Sequence, residues 1–178
     1  MPKNLEIERK FLLEVPTWSA LSELLDNVVD IKRISQTYLN KEDGDQQSGR
    51  VRKTISGLSG EEVVEYMYNQ KKFVEHGVNE EHEHVVTKKE YDQYLKNKDK
   101  DTAEVSKIRF VFKFNDQTFE LDIFREVLKG LAILEIELKD KNDKVELPKY
   151  LKIIKEVTGI SKFNNFNLAK LANLKELE

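Results

Sequence analysis

The 178-residue sequence contains no cysteine. Disulfides, thiolate zinc sites and cysteine nucleophiles are therefore excluded, and a reducing cytosol suits the chain. Charge of a single sign is missing too. Thirty Lys and Arg against 33 Asp and Glu leave a net charge of −3, which is neither the basic surplus of a nucleic-acid binder nor the one-signed composition of a disordered chain. No apolar run approaches the roughly 20 residues needed to span a bilayer. Met1 to Lys10 is polar and charged, unlike a secretory signal. Internal repeats and low-complexity tracts are absent as well. These absences predict a soluble, cytoplasmic protein with one domain over residues 1–178, long enough to bury a sizeable core.

What the chain has in excess is charge of both signs. Charged residues make up 35%, against about a quarter in an ordinary globular protein. Two polar stretches read as solvated connections, Lys41 to Gly49 and Lys96 to Asp101. Helical signals are few. They cover Thr17 to Val29, a capping box at Thr87-Lys-Lys-Glu90 with Tyr91, Tyr94 and Leu95 on one face, Pro148 to Thr158, and Leu168 to Leu177. The remainder alternates as about eight strands near residues 5–13, 32–40, 50–56, 63–71, 79–87, 105–114, 117–126 and 131–139.

Residues two apart on a strand share a face. Glu6, Glu8 and Lys10 thus oppose Ile7, Phe11 and Leu13, and Arg50 and Arg52 oppose Val51 and Ile55. Asn69 and Lys71 share a face, as do Glu81 and Glu83, Lys107 and Arg109, Glu120 and Asp122, and Glu135 and Glu137. For one strand alone, the simplest account is the wet side of an open sheet. Across all of them, acidic pairs and basic pairs occupy different strands, and the opposite faces are apolar enough to need helices over them. The expected fold is therefore mainly β with flanking helices: a closed eight-stranded antiparallel barrel, charged inside, with the helices packed outside.

Each buried ion costs several kcal/mol, so such an interior must be wet and its charges paired or liganded. Acidic groups suit hard cations, and basic groups suit an oxygen-rich anion. A Mg²⁺ or Mn²⁺ complex of a polyphosphate meets both demands.

The opening Glu6-Ile-Glu8-Arg-Lys10, read as E-x-E-x-K, resembles the signature of the CYTH superfamily, the triphosphate tunnel metalloenzymes. Further matching motifs follow in the family's order: Gln36-x-Tyr38, Arg50-Val-Arg52, Lys71, Glu81-x-Glu83, Lys107-x-Arg109, Phe-Glu-Leu-Asp122, and Glu135-Ile-Glu137. The opening looks most like that of the small bacterial inorganic triphosphatases. The resemblance implies that Glu6, Glu8, Glu81, Glu83, Asp122, Glu135 and Glu137 are metal ligands. It implies that Lys10, Arg50, Arg52, Lys71, Lys107 and Arg109 grip phosphate, with Glu6, Glu8 and Lys10 at the catalytic centre. Two departures stand out. Asn79 occupies a position where the family often has arginine, and Ser161-Lys162-Phe163-Asn164-Asn165 replaces a basic cluster, with Lys162 standing in as a phosphate contact.

The activity implied is metal-dependent hydrolysis of a triphosphate, inorganic tripolyphosphate first, with Mg²⁺ or Mn²⁺. Thiamine triphosphatase, class IV adenylate cyclase and a non-catalytic polyphosphate-binding module are the alternatives. The expected partner is a triphosphate-containing small molecule, with neither nucleic acid nor membrane involved; a homodimer is compatible with this. His76, His82 and His84 could suggest zinc. His82 and His84, however, point away from Glu81 and Glu83, which favours surface or packing roles.

Overall fold

The computed structural model describes residues 4–43, 48–58 and 60–176. Part of the expected Lys41–Gly49 connection (residues 44–47) and the last expected helical residue, Leu177, lie outside the described residues. Within them run nine strands: β1 (Leu5–Leu13), β2 (Val28–Tyr38), β3 (Arg50–Ser56), β4 (Val63–Glu75), β5 (Val78–Val86), β6 (Val105–Phe114), β7 (Gln117–Phe124), β8 (Ala132–Leu138) and β9 (Ile153–Glu156). Three α-helices accompany them, α1 (Trp18–Leu25), α2 (Lys88–Leu95) and α3 (Asn165–Glu176).

The sheet order is β5-β4-β3-β2-β6-β7-β8-β1, and β1 returns to pair with β5, closing an eight-stranded antiparallel barrel. Short turns make this pairing direct. Asn115 and Asp116 take positive φ (46° and 60°) between β6 and β7, as a two-residue hairpin turn demands. Gly77 (φ 75°) does the same between β4 and β5.

The expected helix over Pro148–Thr158 does not form. Closure against β5 uses only Leu5, Glu6 and Ile7 of β1, which leaves the outer edge of Phe11–Leu13 without partners. Backbone groups in that position must find bonds. The β-branched run Ile153–Ile154 supplies them as β9, with Phe11 opposite Glu156 and Leu13 opposite Ile153. Tertiary pairing thus overrides a helical spacing. Likewise α1 stops at Leu25, short of the expected Val29, because Val28 is already paired with Phe112 in the sheet.

Apolar side chains pack in three places. The outer faces of β1, β6, β7 and β8 carry Phe11, Leu13, Phe112, Phe119, Leu121 and Leu134, covered by Ala20 and Leu24 of α1 and by Leu151. The outer faces of β3 and β4 are covered by α2, whose Tyr91 and Tyr94 rings lie 4.8 and 5.0 Å from those of Tyr66 and Tyr68. The capping box at Thr87 and Glu90 is present, with the Thr87 amide donating to Glu90 at 2.7 Å.

The third cluster differs from the expectation that all helices flank the barrel. Val105, Phe124, Ile133 and Tyr38 share strand faces with Lys107, Asp122, Glu135 and Gln36, which are inner faces, and they pack against Leu168, Ala169 and Ala172 of α3. Helix α3 therefore sits against one end of the barrel. Its first turn is capped by the Asn164 Oδ1, which accepts from the Asn167 amide at 2.7 Å.

Candidate active site

The face alternation places the charged pairs inside. A cavity of about 460 Å³ is lined by Glu6, Glu8 and Lys10 of β1, Arg50 and Arg52 of β3, Lys71 of β4, Glu81 and Glu83 of β5, Lys107 and Arg109 of β6, and Glu135 and Glu137 of β8. A second cavity of about 700 Å³ shares Glu8, Lys10, Arg50 and Lys71 with it and extends toward α3, with Tyr38, Phe73, Phe163 and Phe166 in its wall. The interior is thus strongly ionic at one end and mixed at the other.

Register decides which charges meet. Lys71 lies opposite Glu81, Lys10 opposite Glu135, and Arg109 opposite Asp122. Lys10 Nζ sits 3.4 Å from Glu8 and 3.6 Å from Glu135. Burial pulls the Lys10 ammonium toward neutrality, but Glu135 and Glu8 outweigh it and hold its pKa above the ordinary range. Glu135 is half-buried, yet Lys10 and Arg109 keep its carboxyl well below the usual value. Both groups are therefore ionised at neutral pH.

Glu6 behaves differently. Its Oε2 lies 2.6 Å from Lys71 Nζ. Desolvation, helped by the neighbouring Glu8 and Glu81, exceeds that attraction and pushes Glu6 up to about 7. Arg52 is pulled down by burial and then by Arg50 and Arg109, so cations crowd one another on that side. Like charges also face each other among the acids: Glu8 opposite Glu137, and Glu120 opposite Glu135. Directly opposed carboxylates destabilise a sheet unless something positive lies between them.

Asp122 and Lys162 depart from their expected places. Asp122 is fully buried behind the cavity wall. Both its oxygens are taken, by Lys107 Nζ at 2.6 Å and by Arg109 Nε and Nη2 at 2.7 and 2.8 Å. In the structure it holds two bases in place, with both oxygens hydrogen-bonded to them. Lys162 is exposed on a short 3₁₀ turn, with Nζ 5.7 Å from the Phe163 ring, and is not among the lining residues.

Four polar groups at the cavity had no role from sequence. Gln36, Glu120 and Asn165 line it. Asn69 bridges Glu81 and Glu83 from Nδ2 at 2.5 and 3.3 Å. The spacing rule reaches two of them, since Glu120 is two residues before Asp122 and Asn69 two before Lys71. Asn79 lies opposite Glu6 and faces the larger cavity. The histidines form no cluster: among the described residues no three His, Asp or Glu side chains gather as a ready metal cage.

A closed barrel with cations and carboxylates lining its interior defines the class: a charged β-barrel tunnel. The sequence agrees with a named group. The CYTH domain model matches residues 4–168, and the chain belongs to that family. No curated protein sequence matches it. Among solved structures, the inorganic triphosphatase NE1496 is similar at 23% identity, covering 93% of this chain and 94% of that one, with a TM-score of 0.57. The adenylyl cyclase candidate HpAC1 from Hippeastrum, described as having a dominant triphosphatase activity, shares 16% identity over 76% of this chain and 80% of its own, TM-score 0.53. A chain of the Schizosaccharomyces pombe Mediator head module shares 12% over 79% and 86%, TM-score 0.50. These likenesses establish the fold. No helix of the described residues is long and apolar enough to cross a membrane.

Proposed function

We propose that the protein hydrolyses a terminal phosphoanhydride of a triphosphate inside the barrel, with inorganic tripolyphosphate as the leading substrate and Mg²⁺ or Mn²⁺ as cofactor. One observation carries the reading: the cations and the carboxylates together line the smaller cavity. The NE1496 protein, similar along nearly its whole length, is named as an inorganic triphosphatase, which supports the same choice of chemistry.

The donor set suits a hard divalent ion. Mg²⁺ takes one or two carboxylates and completes its shell with water and phosphate oxygens, so a three-carboxylate cage is not required. Glu6 and Glu8, together with Glu81, Glu83, Glu135 and Glu137, are the residues that would hold it, Glu8 and Glu137 directly opposite each other. The chemistry it would supply there is to offset phosphate charge and lower the pKa of a water.

The chain's own groups do the rest. Arg50, Arg52, Lys71, Lys107 and Arg109 meet the phosphate oxygens and stabilise charge as the bond to the leaving phosphate lengthens. Lys10, held protonated by Glu8 and Glu135, donates a hydrogen bond from Nζ to a phosphate oxygen at the centre of the tunnel. Helix α3 and its apolar cluster limit water at one end. Phosphate release from tripolyphosphate, nucleoside triphosphates and thiamine triphosphate, each with Mg²⁺ or Mn²⁺ and again with chelator, tests the proposal. Release from tripolyphosphate that ends with chelator while the fold persists is expected. Tight binding without release would make the protein a polyphosphate-binding module, and neither binding nor release would end the reading.

A further inference from the structure

We propose that Gln36 is a substrate-contacting residue, donating its side-chain N–H to a phosphate oxygen in the corner of the tunnel between β2 and β3. The inference rests on the triphosphate reading of the site and adds to it a residue that carries no charge.

Gln36 is 1% exposed, yet it forms part of the cavity wall. Its Nε2 is buried and has no hydrogen-bond partner. It lies directly opposite Arg52, and two residues further along β2 Tyr38 lies opposite Arg50. The Nε atoms of Arg50 and Arg52 are likewise buried without a partner. Three unpartnered donors therefore sit at neighbouring positions on the paired strands β2 and β3, and the residue opposite Gln36 on its other side is the apolar Val105. Buried donors in native proteins are nearly always paired. A cluster of unpaired ones beside a cavity marks where an acceptor belongs, and an anion rich in oxygen satisfies all three at once.

The choice of an amide has a physical reason. Arg52 already has its pKa depressed by burial and by Arg50 and Arg109. A lysine or arginine at position 36 would add another cation to a desolvated, crowded corner. Glutamine supplies a directed N–H without that repulsion. It fixes an oxygen's position while the guanidinium groups supply the attraction.

The test uses Gln36→Leu and Gln36→Glu in the full chain. Tripolyphosphate hydrolysis is measured with Mg²⁺, and the melting shift produced by tripolyphosphate is measured in chelator, where no turnover occurs. Loss of a hydrogen bond to a charged acceptor predicts a fall in kcat/KM of roughly tenfold to a hundredfold for Gln36→Leu, with a smaller tripolyphosphate-induced shift. Without ligand its melting temperature should be unchanged or higher, since an unsatisfied donor has gone. Gln36→Glu should melt higher than wild type, by pairing with Arg52, and should lose the tripolyphosphate shift. A purely structural glutamine predicts the reverse for Gln36→Leu, a lower melting temperature with wild-type kinetics. Wild-type kcat/KM and a wild-type shift in Gln36→Leu would overturn the inference. Should that variant not fold, a normal shift in Gln36→Glu overturns it equally. If the wild-type protein neither binds nor hydrolyses tripolyphosphate, the functional reading falls and takes the inference with it.

Discussion

Replacing Asp122 by asparagine should destabilise the protein before any ligand is added. The carboxylate is fully buried and accepts from Lys107 once and Arg109 twice. Asparagine keeps the shape but removes the charge and turns an amide donor toward two cations. Lys107 is itself only 2% exposed, and burial already lowers its pKa against the attraction of Asp122. Removing one member of a buried ion pair costs roughly 3–5 kcal/mol, a large part of the roughly 5–15 kcal/mol that stabilises a domain. At roughly 2–4 °C per kcal/mol for a chain of this size, the melting temperature should fall by about 10 °C. Urea unfolding in chelator measures the loss directly. Adding Lys107→Met to Asp122→Asn should recover part of it, because the stranded ammonium goes too. Were Asp122 only a metal ligand, the substitution would be near neutral in metal-free protein. A change within about 0.5 kcal/mol there would refute the assignment.

Lys10→Ala should lower kcat/KM for tripolyphosphate by roughly tenfold to a hundredfold, the worth of one charge-assisted hydrogen bond; unchanged kinetics would show that β1 does not face the substrate. Lys162→Ala should leave kcat/KM within about twofold, since an exposed lysine on a ring face contributes at most about 1 kcal/mol; steady-state kinetics checks it. For pH, Glu6 binds its proton more tightly folded, at about 7 against an ordinary 4.5, so its contribution to stability is complete below about pH 4.5 and is lost as pH rises through 7. Urea unfolding of chelator-treated protein from pH 4.5 to 8 should show this decline in wild type and not in Glu6→Gln; parallel curves would contradict it.

The barrel was legible because charge alternated with apolar residues on strand after strand, a period that one pairing register must respect. The interior placement of Glu6, Glu8, Lys10, Arg50, Arg52 and Lys107 follows from that alternation alone. The errors came where tertiary context decides. Leu151, Ile154 and Val157 carry helical spacing, yet an unpaired edge on β1 drew Ile153–Glu156 into a strand, and no local signal reports that edge. Asp122 looks like any other inward acid in sequence; only the depth of its strand position shows that two bases consume it. Lys162 was assigned by its place in a motif, and a 3₁₀ turn carries it outward. In sequence Gln36 figures only as part of the Gln36-x-Tyr38 motif, with no role given to it, and its interest lies in a bond it does not make.

The closure of the barrel is uneven. β4 and β5 share nine residue pairs, whereas β5 and β1 share three, Leu5 with Glu80, Glu6 with Asn79 and Ile7 with Val78, extended by one bond at each end, from the Glu8 amide to the Gly77 carbonyl and from the Glu81 amide to the Asn4 carbonyl. Such a joint is the place where a tube first breathes, because few bonds must part together. Glu6 and Glu81 flank it, so a cation bridging them would act as a clasp, and the amides of Glu8 and Glu81, which donate across it, would trade their protons for solvent deuterons more slowly once it is fastened. Occupancy of the tunnel and integrity of its wall are then one equilibrium, and the cylinder is most completely a cylinder when it is full.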